Sequence, residues 1–167
     1  MEERTAPTGA NVTLQPKYQG YGGQSMIAPL RRVMVRRPSP AKSADDWQRF
    51  NYPGPTDETR ALAEHEAFRQ ILHAQGVEVL DFGGADDGEL DAIFTYDPSF
   101  TTDEGIILCR PGKEARRPEV ELAHRAYREL DIPILGEIEE SGTLEGGDLF
   151  WIDSHTLAAG EGYRTNA

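Results

Sequence analysis

Short apolar runs alternate with polar, proline- and glycine-rich stretches along the first half of the chain. The run at 31–37 predicts a strand that ends at Pro38, because proline cannot donate to a β-ladder. Residues 56–76 carry apolar side chains at helical spacing and predict a helix, with Asp57 at its positive end and Gly76 suited to a left-handed stop. Residues 77–82 predict the next strand. The apolar stripe of this predicted helix consists of Leu62, His65, Phe68, Ile71 and Leu72.

The same succession of elements recurs in the second half of the chain. Residues 92–100 and 105–112 predict two strands that are joined by a turn. A helix is predicted over 116–131, because Pro118 suits a first helical position and apolar residues follow at helical spacing. Residues 132–138 predict the strand after it. The stripe of this helix consists of Val120, Ala123, Tyr127 and Leu130.

A third set of strands is predicted in "TLEGGDLFWID" and "HTLAAG", with no helix after it. We interpret this pattern as an internal repeat of strand–helix–strand units in an α/β protein. The alternative is an ordinary α/β domain whose elements merely alternate. An open array of repeats leaves a sheet edge unpaired, so we expect the chain to be poorly stable alone or to self-associate, as a homo-oligomer for example.

A length of 167 residues fits one compact domain. Residues 1–28 predict a polar N-terminal arm, and 29–167 predict the domain. The arm lacks the apolar core of a secretory signal, and no apolar run approaches the roughly 20 residues of a membrane span. Residues 41–55 predict an aromatic-bearing loop that packs its rings or covers a site.

Charge and cysteine content narrow the class of function. A net charge of -12 argues against a nucleic-acid partner, because phosphate contacts need clustered Lys and Arg. The single cysteine, Cys109, excludes an internal disulfide and fits a reducing cytoplasm, where we expect the protein to be located. The sequence contains no CxxC or HExxH spacing, so no metal-binding motif is evident.

Two aspartates near one predicted strand are candidate ligand contacts. Asp91 and Asp97 are six residues apart, so on a strand both would face the same side. Asp97 precedes Pro98, which would end the strand and display the carboxylate on a turn. The alternative is an aspartate that only caps the turn.

The segment Glu145-Gly146-Gly147-Asp148 is a second candidate. Its glycines permit close backbone approach, and its two acids could hold both edges of a planar guanidinium through paired hydrogen bonds. Calcium also binds clustered carboxylates, but the spacing lacks the alternating acids of an EF-hand loop.

Arginines could bind the other end of an amino-acid ligand. Arg116, Arg117 and Arg164 are candidates for pairing with an α-carboxylate. The alternative is a solvated arginine, or one that pairs with Glu119 or Glu121, and for Arg117 we prefer that alternative.

No nucleophile is evident from the pattern. Cys109 lies in an apolar strand and is expected to be a buried core thiol. His155 is expected in a solvated turn, and the helical histidines His65, His73 and His124 at surface or boundary positions.

An ordered set of motifs resembles a known group of enzymes: "LRRVMVRRP", "DAIFTYDPSF", "GIILCRPGKEARRPE", "TLEGGDLFWID" and "GYRTN". Over 29–166 the chain is similar to the N-terminal half of the guanidino-group modifying enzymes, which include arginine deiminases, dimethylarginine dimethylaminohydrolases and amidinotransferases. The resemblance implies an α/β propeller of five ββαβ units around a central channel. This chain would hold about two and a half of them.

The resemblance also implies roles for individual residues. Asp97 and Glu145 would contact the substrate guanidinium, and Asp91 would lie near the substrate's amino end. Arg116 and Arg164 would hold the α-carboxylate. Tyr96 stands where dimethylargininases carry an acid and deiminases a basic residue, so the exact substrate stays open.

The chemistry implied by the resemblance is covalent and needs no metal or organic cofactor. A cysteine thiolate attacks the guanidinium carbon, a histidine is general acid and base, and water or an amine resolves the intermediate. Neither Cys109 nor His155 matches those family positions. We therefore expect a front half, truncated or part of a split protein with a separate C-terminal half, that alone releases no citrulline.

Three functions remain open at this point: the substrate-binding half of a guanidine hydrolase, an amidinotransferase, or a non-catalytic protein that binds a guanidino ligand. All three imply a small-molecule guanidino partner.

Overall fold

A computed structural model of the chain describes residues 20–83 and 87–166. Of the predicted arm, residues 1–19 lie outside the described part. The remainder is attached to the domain, since Gln24 donates to the carbonyl of Ser154 (2.8 Å) and accepts from the amide of Asp103 (2.7 Å).

Within the described residues, seven short strands and three α-helices follow one another. The strands are β1 (Arg32–Val35), β2 (Glu78–Asp81), β3 (Ser99–Thr101), β4 (Ile106–Leu108), β5 (Ile134–Glu137), β6 (Leu149–Trp151) and β7 (Leu157–Ala159). The helices are α1 (Asp46–Arg49), α2 (Glu58–Ala74) and α3 (Pro118–Glu129). None of these helices is both long enough and apolar enough to cross a membrane.

The described strands form three small sheets. β1 and β2 pair in parallel, with the long helix α2 between them in the chain. β3 pairs antiparallel with β4, which pairs in parallel with β5 across α3, so this part of the chain is a ββαβ unit. β6 and β7 form an antiparallel pair. The architecture is mixed α/β, as predicted, and the described sheets do not close into a propeller.

Both long helices lie inside their predicted ranges, and each begins two residues after the predicted start, at Glu58 and at Pro118. The carboxylate of Asp57 accepts the amide of Arg60 at 3.0 Å and caps α2, and Pro118 opens α3. The left-handed residue after α2 is Gly76, with φ 76°, as expected for a helix stop.

The predicted strand over 92–100 is wrong for most of its length. Leu90–Ile93 form a 3-10 turn, a further turn follows, and only Ser99–Thr101 are a strand. The backbone carbonyls of Asp91 and Phe94 accept the turn amides of Phe94 and Asp97 at 3.0 and 3.1 Å, and both also accept Nη2 of Arg116. Local turn bonds and one distant side chain thus satisfy backbone groups that a neighbouring strand would otherwise bind.

The predicted apolar stripes of the two helices differ in how deeply they are buried. On α3, Ala123 and Tyr127 are buried. On α2, all of which the structure describes, no residue is buried, and Phe68 and Ile71 are 50% and 62% exposed. The stripe on α2 is therefore only partly covered, unlike the stripe on α3. α2 packs mainly on β2 of a two-stranded sheet, whereas α3 packs on both β4 and β5 of the three-stranded sheet.

Two apolar clusters join the sheets. Phe82, just after β2, packs edge-to-face on Tyr127 of α3, with ring centroids 6.4 Å apart, and so links the first sheet to the second. Phe100 stacks on Trp151 at 5.3 Å and links the second sheet to the third. The first cluster comprises the buried residues Phe82, Ile106, Leu108, Ala123, Ala126 and Tyr127.

We expect Phe82→Ala to lower the free energy of unfolding by about 3–5 kcal/mol, because it leaves a cavity between two sheets. Phe68→Ala removes the same atoms from an exposed position and should cost less than about 1 kcal/mol. Urea denaturation followed by circular dichroism measures both. Equal losses for the two variants would contradict this account of the core.

Candidate functional site

A buried arginine lies at the centre of a cluster of carboxylates. The side chain of Arg116 is 1% exposed, and its Nε and Nη2 donate to the two oxygens of Glu119 at 2.9 and 2.7 Å. Its Nη1 donates to Oδ2 of Asp97 at 2.5 Å. Burial disfavours the charged form, but the hydrogen bonds and charges of Glu119 and Asp97 outweigh it and raise the pKa of Arg116. The guanidinium therefore stays charged.

The pairing of Arg116 with Glu119 was one alternative that the sequence left open, and it is confirmed. The two residues are three positions apart at the start of α3, a spacing that brings side chains to one face. Burial raises the pKa of Glu119 to about 7, and the charges of Asp91 and Asp97 add to this, while Arg116 opposes it. Because its nitrogens bind protein oxygens, Arg116 is placed to hold the site together, and its role with a substrate carboxylate stays a prediction.

The Gly-Gly turn wraps closely around Asp97. The amide of Gly146 donates to the Asp97 carbonyl at 3.0 Å, and the amide of Gly147 donates to Oδ1 of Asp97 at 2.9 Å. A Cβ atom at Gly146 would lie 2.0 Å from the carbonyl oxygen of Tyr96, so only glycine fits. The expected close backbone approach is confirmed, and the group approached is the segment that carries Asp97.

Glu145 has one carboxylate oxygen without a partner. Its side chain is 2% exposed, and its Oε2 accepts from Nη1 of Arg164 at 3.0 Å and lies 3.8 Å from Nη1 of Arg116. Oε1 is buried, and no donor among the described residues reaches it. A buried acceptor without a donor is costly, and in native proteins such an atom calls for an explanation.

Arg164 lies beside Glu145 rather than apart from it. Its side chain remains about half exposed, and the hydrogen bond and charge of Glu145 raise its pKa. The sequence named both residues as candidates, and the structure brings them into contact.

Asp148 is linked to Glu145 through the side chain of Thr165. Its Oδ2 accepts the hydroxyl of Thr165 at 2.5 Å, and that hydroxyl oxygen accepts the amide of Glu145 at 3.1 Å. Asn166 adds a bond to the amide of Thr143 at 2.6 Å. These contacts fold the "YRTN" segment back onto the Glu145 turn, and the expected direct contact of Asp148 with a guanidinium stays a prediction.

Asp91, which the sequence named as a candidate, lies at the other end of the cluster and pairs with Lys113, a residue that the sequence analysis did not single out. Its Oδ2 accepts Nζ of Lys113 at 2.6 Å and lies 3.9 Å from Nε of Arg116. Burial, the charge of Asp91 and a hydrogen bond to it raise the pKa of Tyr52 to about 12. Asp91 and Asp97 both lie near Arg116, as the sequence suggested. They do so on turns, because the strand on which the prediction relied is absent over 91–97.

Cys109 is confirmed as a buried thiol of the core. It is 2% exposed and packs with Phe100 and Leu149. Burial raises its pKa to about 12, and the charges of Asp97 and Glu145 add to the effect. The thiol is therefore protonated and a poor nucleophile at neutral pH. His155 is exposed, as expected.

Charges in the cluster are nearly balanced. Four carboxylates (Asp91, Asp97, Glu119 and Glu145) stand against three cations (Lys113, Arg116 and Arg164). When all are ionised, one negative charge is in excess, and an unpaired acceptor lies on Glu145. This arrangement suits a monocation with planar N–H donors.

Comparison with solved structures defines the class of protein. The fold matches a crystal structure of dimethylarginine dimethylaminohydrolase as an adduct with 4-chloro-2-hydroxymethylpyridine, with a TM-score of 0.63 and 30% identity over 83% of this chain and 52% of that chain. A mutant of the Pseudomonas aeruginosa enzyme complexed with citrulline matches with a TM-score of 0.65 and 28% identity, over 83% and 52% of the two chains. An arginine dihydrolase from cyanobacteria, 19% identical with a TM-score of 0.63 over 83% of this chain and 19% of that one, shares the fold. The chain thus has a fold of the guanidino-modifying (pentein) superfamily over about half of each of the first two chains.

Sequence comparison identifies the family. The profile described as N,N dimethylarginine dimethylhydrolase, eukaryotic, matches residues 39–167. The N(G),N(G)-dimethylarginine dimethylaminohydrolases of Pseudomonas aeruginosa and Streptomyces coelicolor are 32% and 34% identical, each over 83% of this chain. The chain belongs to the dimethylarginine dimethylaminohydrolase family. It spans about half the length of the curated relatives it matches, 53% and 52% respectively.

The raised pKa of Glu119 predicts a pH-dependent contribution to stability. Between its ordinary value of 4.5 and about 7, the unfolded chain releases a proton that the folded chain keeps. Raising the pH through this window therefore favours unfolding. Relative to Glu119→Gln, we expect the wild-type free energy of unfolding to fall by on the order of 1–3 kcal/mol across it.

Denaturant titrations at several pH values measure this difference. Glu64→Gln is the matched control, because Glu64 is an exposed acid of α2. Parallel stability curves for wild type and Glu119→Gln would show that Glu119 is already ionised throughout the window.

Proposed function

We propose that the cluster around Arg116 is the guanidinium-binding part of a hydrolase that cleaves a C–N bond in the guanidino group of arginine or an N-methylated arginine. The buried Oε1 of Glu145 carries this proposal. It is an acceptor without a donor among the described residues, in a cluster whose four carboxylates outnumber its three cations when all are ionised. A guanidinium N–H supplies both the missing donor and the missing charge.

Asp97 supplies the second contact in this proposal. Its two oxygens already accept one donor each, from Gly147 and Arg116, so its orientation is fixed by the protein. A carboxylate offers about four lone-pair sites, and two remain for a ligand. Its side chain is 16% exposed, so this carboxylate is not fully closed off from a ligand.

We propose that Arg164 contributes at the mouth of the site. It is half exposed and anchored to Glu145 by one nitrogen. A substrate carboxylate can pair with the Arg164 nitrogens that do not bind Glu145, while the guanidinium binds Oε1 of Glu145. Arg116, in contrast, is buried and orients Asp97 by donating to its Oδ2.

For the fold, we propose that residues 29–167 form part of a ββαβ propeller, about two and a half of its five units, and that the three sheets belong to consecutive units. The complete ββαβ unit at β3–β4–α3–β5 supports this, together with the parallel β1–α2–β2 unit before it and the antiparallel pair after it. The site then lies where the second and third units meet, since Asp97 and Glu145 come from those two units.

Covalent chemistry in this family needs a thiolate and a histidine, as the resemblance implies. Cys109 is not that thiolate, because it is buried and its pKa is raised to about 12. This observation favours a second candidate function for the chain by itself, which is to bind a guanidino ligand without turnover.

We expect Asp97→Asn to weaken binding of L-arginine and of asymmetric dimethylarginine by at least about 10-fold, because a hydrogen bond between charged groups is lost. Asp45→Asn is the matched control, since Asp45 is exposed and makes no capping bond with its side chain. Isothermal titration calorimetry measures both affinities. Unchanged affinity in Asp97→Asn, with the fold intact by circular dichroism, would rule out the assigned role.

We expect the wild-type chain to release no citrulline and Cys109→Ser to bind both ligands as wild type does. Citrulline production that is abolished by Cys109→Ser would overturn the binding-only assignment for this chain and would make Cys109 a catalytic residue.

A further inference from the structure

One guanidinium serves three carboxylates at the buried end of the cluster. Arg116 donates to both oxygens of Glu119 and to Oδ2 of Asp97. The same Nη1 that binds Asp97 also lies 3.8 Å from Oε2 of Glu145. Arg164 adds a second cation beside Glu145, but its side chain is half exposed, so solvent screens its charge. The buried acids therefore share a cation that cannot neutralise all of them.

Glu119 is the place where a proton best relieves this imbalance. It is the most deeply buried of the four carboxylates in the cluster, at 0% exposure. Among the described residues, the hydrogen bonds that it accepts all come from the side chain of Arg116. Burial raises its pKa to about 7, and the negative charges of Asp91 and Asp97 add to the increase, while Arg116 opposes it. Near neutral pH, Glu119 is thus divided between its protonated and its ionised form.

The charged and titratable groups that face Glu119 come from three segments of the chain. Arg116 precedes α3, and Asp91 and Asp97 belong to the turns over 90–98. Tyr52 of the aromatic loop also interacts with its charge, and the pKa of Tyr52, at about 12, keeps that ring neutral in the range where Glu119 titrates. The carboxylates of Asp91 and Asp97 are therefore the groups that hold the proton on Glu119.

A bound guanidinium would weaken the hold on that proton. Bound at Asp97 and Glu145, it brings a positive charge that offsets the charge of Asp97. The ionised form of Glu119 is then favoured, and its proton passes to the solvent. Ionised Glu119 pairs fully with Arg116, which in turn holds Asp97 in the orientation that the ligand needs.

We infer that Glu119 is a positioning residue that releases its proton when a guanidinium binds, so that the site exchanges one positive charge for another. This inference rests on the proposed function, because it takes Asp97 and Glu145 as the guanidinium contacts. It deepens that function by making the affinity of the same site depend on pH. Because the protonated form opposes binding, the affinity rises as the pH rises through the range in which the free protein loses this proton.

Isothermal titration calorimetry with L-arginine tests the inference. The measured enthalpy in two buffers of different ionisation enthalpy, cacodylate and Bis-Tris, gives the number of protons released per ligand bound. L-arginine keeps its own charges between about pH 5.5 and about pH 7.5, so the released protons come from the protein. For wild type we expect roughly half a proton at about pH 6.5 and an affinity that rises at least about 3-fold across that range.

Glu119→Gln separates this role from a purely structural one. The amide has nearly the same shape as the protonated acid but does not ionise. We therefore expect no proton release, and an affinity that stays near the low-pH value of wild type at every pH. Glu121→Gln is the matched control, because Glu121 is an exposed acid of the same helix, and it should behave as wild type does.

Carbon-13 NMR of the side-chain carboxyl groups of wild type replaces the variant if Glu119→Gln folds poorly. The carboxyl resonance of Glu119 should titrate at a lower pH when the protein is saturated with L-arginine than when it is free. An identical midpoint in the two titrations would overturn the inference.

The calorimetric results distinguish this inference from the proposed function. Proton release that disappears in Glu119→Gln and persists in Glu121→Gln supports the inference. Binding of L-arginine without proton release, or with a release that Glu119→Gln retains, overturns the inference and leaves the proposed function standing. If wild type does not bind L-arginine at all, the proposed function fails and the inference fails with it.

Discussion

The buried guanidinium of Arg116 is the interaction on which the rest of this structure depends. Removing an arginine from water is expensive, and only well-placed anions offset the cost. Here Glu119 and Asp97 supply them, and two backbone carbonyls take further N–H groups. Because these partners come from the start of α3 and from the 90–98 segment, one side chain fixes both segments relative to each other.

The Glu145 turn is built on the orientation that Arg116 imposes. Asp97 accepts from Arg116 with one oxygen and from Gly147 with the other, so the turn can close only when the Asp97 carboxylate is correctly placed. The close approach at Gly146 then brings Glu145 to the edge of the same guanidinium, 3.8 Å from Nη1. A site with an excess carboxylate thus forms around a resident cation that prevents the acids from repelling one another.

Sequence reasoning succeeded where local signals decide the outcome. Asp57, Gly76 and Pro118 mark helix ends through bonds and backbone angles that depend on a few neighbouring residues. It failed over 92–98, because the carbonyls of Asp91 and Phe94 bind turn amides and also the side chain of Arg116, and no local pattern reveals the contact with that distant arginine. The stripe on α2 has helical spacing, but burial depends on the width of the sheet beneath it. The Lys113 contact was missed for the same reason, because its partners are distant in sequence.

The electrostatics that favour a guanidinium here also exclude a nucleophile from the same place. Burial raises the pKa of the Cys109 thiol and the charges of Asp97 and Glu145 add to the effect, whereas a reactive thiolate needs cationic or hydrogen-bond-donating surroundings. Under the proposed function, the attacking thiolate would therefore need surroundings of a different charge from those of the Arg116 cluster. Burial and the nearby carboxylates together keep the Cys109 thiol protonated, so the groups proposed to hold the guanidinium are kept separate from the chemistry of attack.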